Sequence, residues 1–306
     1  MLIANKRETL VTTRWLNINR YPIIIVICLQ LVLFPLSLNG QEILQGQVID
    51  TTKSNTPINF VSIGIIGGDV GTITNDSGIF QLLISKDHSN DSLTFSKIGY
   101  YPKKIKVADL LIQKGIKIIL VPKITQLNEV LITANGTNIK SKGNITRAKW
   151  AVMGISSGSL GSELGTVIHF SSNPISVKAF NFHILSNHPD SAKFRFNIYN
   201  FDRVVSENVL NENIYFTIPG KYTGDFSVDL SKYHIALSND VFITVEPVAI
   251  FYTKIDSLPN NENNSRILIS GTITGSNAFY RKVSLGKWQK VKYSFSPGFW
   301  VTFYNN

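Results

Sequence analysis

Between residues 45 and 122 apolar side chains recur at every second position, in short runs broken by turn residues. That period fits strands with one buried face, and no ten-residue helical pattern separates the runs. Val61, Ile63 and Ile65 fall on one face of their run; Phe80, Leu82 and Ile84 share a face in the next long run, and Ile116, Ile118 and Leu120 in the last. Gly67-Gly68-Asp69 and Asn75-Asp76-Ser77-Gly78 separate runs with residues that accept positive φ or hydrogen-bond their own backbone, so they reverse the chain cheaply. Pro57 and Pro102 stand at the starts of runs, where a missing N–H removes no ladder bond. Seven such runs predict an antiparallel sandwich rather than a parallel sheet.

The order of the runs carries a resemblance. It passes from Gly46-Gln47-Val48-Ile49-Asp50 to Thr56-Pro57-Ile58-Asn59-Phe60-Val61-Ser62-Ile63, then to Gly71-Thr72-Ile73-Thr74-Asn75-Asp76-Ser77-Gly78-Ile79-Phe80, and ends with Leu93-Thr94-Phe95-Ser96-Lys97-Ile98-Gly99-Tyr100. Over residues 43–122 this resembles a carboxypeptidase-like regulatory domain, which implies a seven-stranded transthyretin-like sandwich. In that family the sandwich occurs on secreted carboxypeptidases and at the front of many Gram-negative outer-membrane receptors, so the resemblance implies a fold and a compartment but no chemistry. The next segment, Leu127-Asn128-Glu129-Val130-Leu131-Ile132-Thr133-Ala134, resembles the Leu-x-Glu-Val-x-x-Thr stretch that follows the same sandwich in TonB-dependent transporters and can serve there as the energy-coupling box. Only 170 residues follow Gly136, too few for a plug and a transmembrane barrel. The segment is therefore read as the last strand of the first domain, leading into a linker, and an accessory or truncated relative of those transporters stands as an alternative.

Residues 1–40 read as an address. Lys6, Arg7, Arg14 and Arg20 precede an apolar run over residues 23–36, and Leu38-Asn39-Gly40 offers a cleavage point before Gln41. The run contains Gln30 and Pro35 and falls short of the roughly 20 residues that span a bilayer. Cys28 is the sole cysteine, and Ile27 before it does not suit a lipoprotein signal. A chain starting at Gln41 has no cysteine, which excludes disulfides, thiol catalysis and thiolate metal sites. The expected location is the periplasm, the outer membrane or the exterior, with the segment cleaved or retained as an anchor.

Residues 135–144, rich in Gly, Asn, Ser and Lys, mark a boundary, with a linker over 138–150 between domains at 41–137 and 151–306. Beyond it Phe180, Phe182 and Ile184 alternate with Asn181 and His183; Phe194, Phe196 and Ile198 with Arg195, Asn197 and Tyr199; and Val241, Ile243 and Val245 with Thr244 and Glu246. With further runs to residue 304, eight or nine strands predict a jelly-roll-like β-sandwich. The whole is all-β.

Net charge is +10 for the full sequence and +7 without residues 1–40. Arg281, Lys282, Lys287, Lys290 and Lys292 occur without an acid between them, interleaved with Trp288, and read as one solvated face of a hairpin. Nucleic acid is a poor partner for an exported chain. Gly154-Ile155-Ser156-Ser157-Gly158 matches a nucleophile elbow, but the strand-to-helix context that would lift Ser156 over a parallel sheet is missing, so a serine hydrolase is the alternative and no catalytic residue is expected. His88, His169, His183, His188 and His234 begin no zinc motif, and neither a metal nor another cofactor is implied. Aromatic residues crowd the final 28 positions; Phe295, Phe299 and Phe303 are assigned to packing, and Trp288, Tyr293 and Trp300 to binding. The reading is a non-enzymatic envelope protein with a structural or docking sandwich and a second sandwich that binds a glycan or an envelope protein. The sequence leaves its oligomeric state open.

Overall fold

A computed structural model describes residues 40–123, 138–170, 174–253, 266–273 and 277–305. The expected leader with Cys28 and the coupling-box resemblance at residues 127–134 lie outside the described residues. Among the described residues no helix is long and apolar enough to cross a membrane.

The first sandwich comprises β1 (Gln41–Asp50), β2 (Thr56–Pro57), β3 (Ser62–Gly64), β4 (Gly71–Ile73), β5 (Ile79–Ser85), β6 (Ser92–Ser96), β7 (Lys103–Lys106), the short helix α1 (Val107–Leu111) and β8 (Ile116–Ile119). One sheet runs β2-β1-β5 with β8 also on β1, and the other runs β4-β3-β6-β7. Period-two alternation works as read: Leu44 and Val48 of β1, Phe80, Leu82 and Ile84 of β5, and Ile116 and Ile118 of β8 meet Ile63, Leu93 and Phe95 of the facing sheet. One pairing departs from the antiparallel expectation, because β8 lies parallel to β1 in the register Gly46↔Ile116 to Ile49↔Ile119. Gly46 sits where a methyl group would come 2.7 Å from the Ile116 carbonyl oxygen, so this close strand approach requires glycine.

The second sandwich comprises β9 (Ile139–Gly143), β10 (Val152–Ile155), β11 (Glu163–Ile168), β12 (Ile175–Asn187), β13 (Ser191–Asp202), β14 (Val204–Asn208), β15 (Ile214–Pro219), β16 (Gly224–Asp229), β17 (Ala236–Leu237), β18 (Val241–Phe251), β19 (Ile267–Thr272), β20 (Ala278–Arg281), β21 (Gln289–Lys290), β22 (Ser296–Pro297) and β23 (Phe299–Asn305). One sheet runs β10-β19-β12-β23-β9 and the other β14-β13-β18-β11-β20-β21, with shorter strands branching from each. Among the described residues the strands number fifteen, three of them two residues long, more than the eight or nine expected. Between the sheets Phe180, Phe182, Phe194, Phe196, Phe216 and Phe299 form one aromatic core, with Phe180 to Phe196 centroids 4.7 Å apart and Phe194 stacked on Phe216 at 5.4 Å. Truncating one of these rings to alanine costs about 3 to 5 kcal/mol.

The stretch expected as a linker, 138–150, is not free chain. β9 pairs with β23 from Ile139↔Tyr304 to Gly143↔Trp300, and the residues after it stay on the second sandwich. The Asn144 side-chain amide donates to the Ser296 and Pro297 carbonyls at 3.0 and 3.1 Å, and Arg147 pairs with Asp225 of β16.

Candidate functional site

The polar residues that alternate with the apolar ones along β13 and β18 are buried as well. The first sandwich and the loop after β20 cover that face. Arg195 gives Nε to Glu246 Oε2 at 2.8 Å, and its remaining nitrogens reach across to the first sandwich, Nη1 to the Phe60 carbonyl at 2.9 Å and Nη2 to Ser62 Oγ at 2.6 Å. Phe60 holds a left-handed backbone at φ 50°, a sterically costly conformation for a bulky residue. Beside this ion pair Glu163 accepts from Asn197 at 2.8 Å, from Tyr199 at 3.0 Å and from Thr244, and pairs with Arg281 at 2.5 Å. Burial opposes the charge on Arg195, but Glu246, Tyr215 and Glu163 together outweigh it and hold the guanidinium's pKa above its usual range. Burial pushes the Glu246 carboxyl up, against the pull of Arg195, and pushes the Tyr199 phenol up with Glu163 adding to it.

Apolar and backbone contacts complete this seam. Phe60, Ile73 and Val248 form a small core of their own, with the Phe60 and Tyr215 rings 5.4 Å apart. Gly67 N–H donates to the Leu285 carbonyl at 2.9 Å and Lys287 N–H to the Gly68 carbonyl at 3.2 Å. Gly64 and Gly71 are cross-strand partners, and a methyl group on either would fall inside contact distance of the Ser284 carbonyl oxygen. Two facing glycines therefore make the notch that seats the loop after β20.

The three aromatic residues singled out in the sequence do not converge. Trp288 is half-buried, edge-on to Phe242 at 4.9 Å and beside the Arg281 guanidinium at 4.7 Å, and so belongs to the cover over the seam. Trp300 on β23 is only 8% exposed, which corrects its expected place on the surface. Tyr293 is 90% exposed, at the tip of a loop where it and Ser294 both hold left-handed backbones. Of the rings assigned to packing, Phe299 and Phe303 are core and Phe295 is half-buried. Ser156 is followed by a 3-10 turn, Ser157–Ser159, and its hydroxyl lies 3.5 Å from Ser159 Oγ. Among the described residues the histidine side chains bond elsewhere: His88 with Asp91, His169 with Asp240 and Asn277, His183 with Ser270, and His188 with Ser186 and the Arg266 carbonyl.

A feature that sequence reasoning missed is an open cleft of about 590 Å³ at one end of the second sandwich, lined by Phe170, Asn200, Phe201, Asp202, Ser206, Ser238, Asn239 and Asp240. Arg203, left-handed at φ 60°, turns β13 into β14 and leaves Asp202 exposed at the tip. Asp240 frames the opposite wall: one carboxylate oxygen accepts the Phe170 N–H at 3.0 Å and the other meets His169 Nδ1 at 2.5 Å. Asn277 Nδ2 lies 3.0 Å from the far nitrogen of that ring, so the imidazole is held between two polar side chains. Among the described residues no hydrogen bond engages the side chains of Asn200, Asp202, Ser238 or Asn239, which stand exposed beside the half-buried rings of Phe170 and Phe201. The signal in the sequence is the pair of short polar runs Asn200-Phe201-Asp202 and Ser238-Asn239-Asp240, whose adjacency only the fold creates.

Residues 44–132 match the family model described as a CarboxypepD_reg-like domain, so the first sandwich and the segment after it carry that family's pattern. No curated protein matches the chain. Among solved structures, the cysteine protease and lectin-like domains of Cwp84, a surface layer associated protein of Clostridium difficile, align at a TM-score of 0.39 with 12% identity, covering 78% of this chain and 46% of that one. A structure of the clostridial Cwp84 protease after propeptide cleavage aligns at 0.39 with 10% identity, covering 78% and 51%. The aligned part is thus about half of each of those chains. The class defined here is an all-β protein in which a carboxypeptidase-regulatory-like sandwich is joined to a second, larger sandwich.

Proposed function

We propose that the chain is an exported, non-enzymatic cell-envelope protein whose second sandwich binds a hydroxyl-rich ligand, a glycan, in the cleft between the β13–β14 turn and the loop before β18. The observation that carries this reading is the lining: amide, carboxylate and hydroxyl groups stand exposed around two aromatic rings. Such groups pair with vicinal hydroxyls as donors and acceptors, while a ring covers the apolar face of a sugar. The first sandwich acts as a docking and support module, and the seam fixes its orientation. Export rests on the charged and apolar leader at residues 1–40 and on the compartment in which the regulatory-domain family occurs.

Glycan-array screening of the purified chain, followed by calorimetric titration of a responding glycan, tests this. Asp202→Ala and Phe201→Ala should each weaken binding about tenfold, the equivalent of 1.4 kcal/mol. A screen without glycan binding, or binding indifferent to both substitutions, removes the cleft from consideration.

A further inference from the structure

β5 ends its sheet: it pairs with β1 along one side and, among the described residues, with no strand along the other. Open edges are normally blunted by charge, proline or a bulge, because a bare row of N–H and C=O groups recruits another strand. β7, at the end of the facing sheet, carries Lys103, Lys104 and Lys106, and β9, at the end of a sheet in the second sandwich, carries Lys140 and Lys142. β5 has none of these devices. It reads Ile-Phe-Gln-Leu-Leu-Ile-Ser, and its ladder with β1 runs from Gln41↔Ser85 to Gln47↔Ile79 without a break in register. Its outward side chains are partly apolar too: Leu83 is 53% exposed, beside its cross-strand partner Ile43 at 60%.

The register shows which backbone groups stand free. Val48 N–H donates to the Gly78 carbonyl at 2.8 Å, so Phe80, Leu82 and Ile84 turn their backbone groups to β1, while Gln81 and Leu83 turn theirs away. Among the described residues no hydrogen bond engages the outward N–H or C=O of Gln81 or Leu83. Both ends of this stretch are closed. Ile79 is taken by the preceding turn, its N–H donating to Asn75 Oδ1 at 3.0 Å and its carbonyl accepting the Asn75 N–H at 2.9 Å. After Ser85 the chain leaves the sheet in the 3-10 turn Lys86–His88.

We infer that the chain forms a two-fold homodimer in which β5 pairs antiparallel with β5 of a second copy, about an axis through Leu82. Gln81 then lies opposite Leu83 of the other copy at both ends of the contact, and four backbone hydrogen bonds satisfy every free N–H and C=O of these residues. The two Leu83 side chains fall on the same face as diagonal neighbours, within reach of each other, and each is backed by Ile43. An apolar stripe thus crosses the axis, and two four-stranded sheets become one of eight. A second copy fits better than an unrelated strand because the open stretch is short and closed at both ends. A longer foreign strand would leave its own groups unpaired beyond it.

Sedimentation velocity of the purified full chain across a concentration series tests this, since a dimer with a Kd of about 10 µM is mostly assembled at about 100 µM. Leu83→Lys puts a charge beside the axis; Gln81→Pro removes an N–H that points away from β1, so the ladder within the copy survives. Each should weaken the dimer at least tenfold. Gln45→Lys, on the same outward face but on the inner strand β1, should leave it intact. Hydrogen exchange at the Gln81 and Leu83 amides of the parent should slow about fivefold as the dimer forms. A chain that stays monomeric at about 100 µM overturns the inference and leaves the edge to a strand of another protein. So does a dimer that survives both edge substitutions, which would be held by another surface, or one that Gln45→Lys breaks equally. Should Gln81→Pro fail to fold, Leu83→Lys and the exchange rates still decide.

Discussion

Placing a methyl group on Gly71 presses directly on the seam between the sandwiches. Besides lying inside contact distance of the Ser284 carbonyl oxygen, that Cβ would come 3.2 Å from the Ser284 carbonyl carbon and 3.0 Å from the Ile63 carbonyl oxygen. All three are backbone atoms, so no side chain can swing aside and the loop after β20 has to retreat. Overpacking of this kind costs about 1 to 3 kcal/mol, and the retreat strains the bonds from Gly67 N–H to Leu285 and from Lys287 N–H to Gly68, worth about 1 kcal/mol each. Against this, alanine stiffens the unfolded chain and returns about 0.4 to 1 kcal/mol. The net expectation for Gly71→Ala is a loss of about 2 to 3 kcal/mol. Urea denaturation followed by tryptophan fluorescence reads it well, because Trp150, Trp288 and Trp300 all lie in the second sandwich and Trp288 sits in the cover over the seam. Gly64→Ala strikes the same oxygen, so the double variant should lose less than the sum of the singles. Gly158→Ala is the control, since its nearest atom beyond the chain neighbours is Ser156 Oγ at 3.9 Å. A Gly71→Ala midpoint at or above that of the parent, or an equal drop in the control, would refute the notch.

Two further outcomes follow from buried charge. Lys97 has its pKa lowered from 10.5 to about 8 by burial and by Arg195, so between those values the unfolded chain binds the extra proton and stability rises with pH. Relative to Lys97→Met, the parent should gain up to about 3 kcal/mol as pH rises from 8 to 10.5, and parallel pH profiles of the two proteins would contradict the assigned burial. Glu163→Ala strands Arg281 and the donors on Asn197, Tyr199 and Thr244, and should cost about 3 to 5 kcal/mol in equilibrium unfolding; a loss under 1 kcal/mol would show that water replaces the carboxylate freely.

Much of the fold was legible in the chain because it is local. Phe80, Leu82 and Ile84, or Phe194, Phe196 and Ile198, announce a strand and its buried face without reference to anything distant. Alternation alone does not say what lies over Arg195, Asn197, Thr244 and Glu246, because it cannot tell a sheet with one covered face from a sheet with two. This sheet is covered on both, and the second cover comes from residues 60–73 and from the loop after β20, remote in sequence from β13. The cleft was hidden for a related reason: Asp202 and Asp240 become neighbours only because β13 and β18 pair, Asn200 opposite Val241. Aromatic crowding in the last residues misled in turn, since Trp300 and Trp288 had closer work in packing.

β23 is last of the strands in chain order yet lies between β12 and β9, and it supplies Phe299, Val301 and Phe303 to the main core. The larger sandwich consequently cannot close until residue 305 is available, and β9 waits some 160 residues for β23, its only partner among the described residues. Pairing at such separations is slow, on the millisecond to second scale typical of β-rich topologies. A growing chain therefore carries β12, a long apolar strand, without its neighbours β19 and β23 until synthesis has passed both.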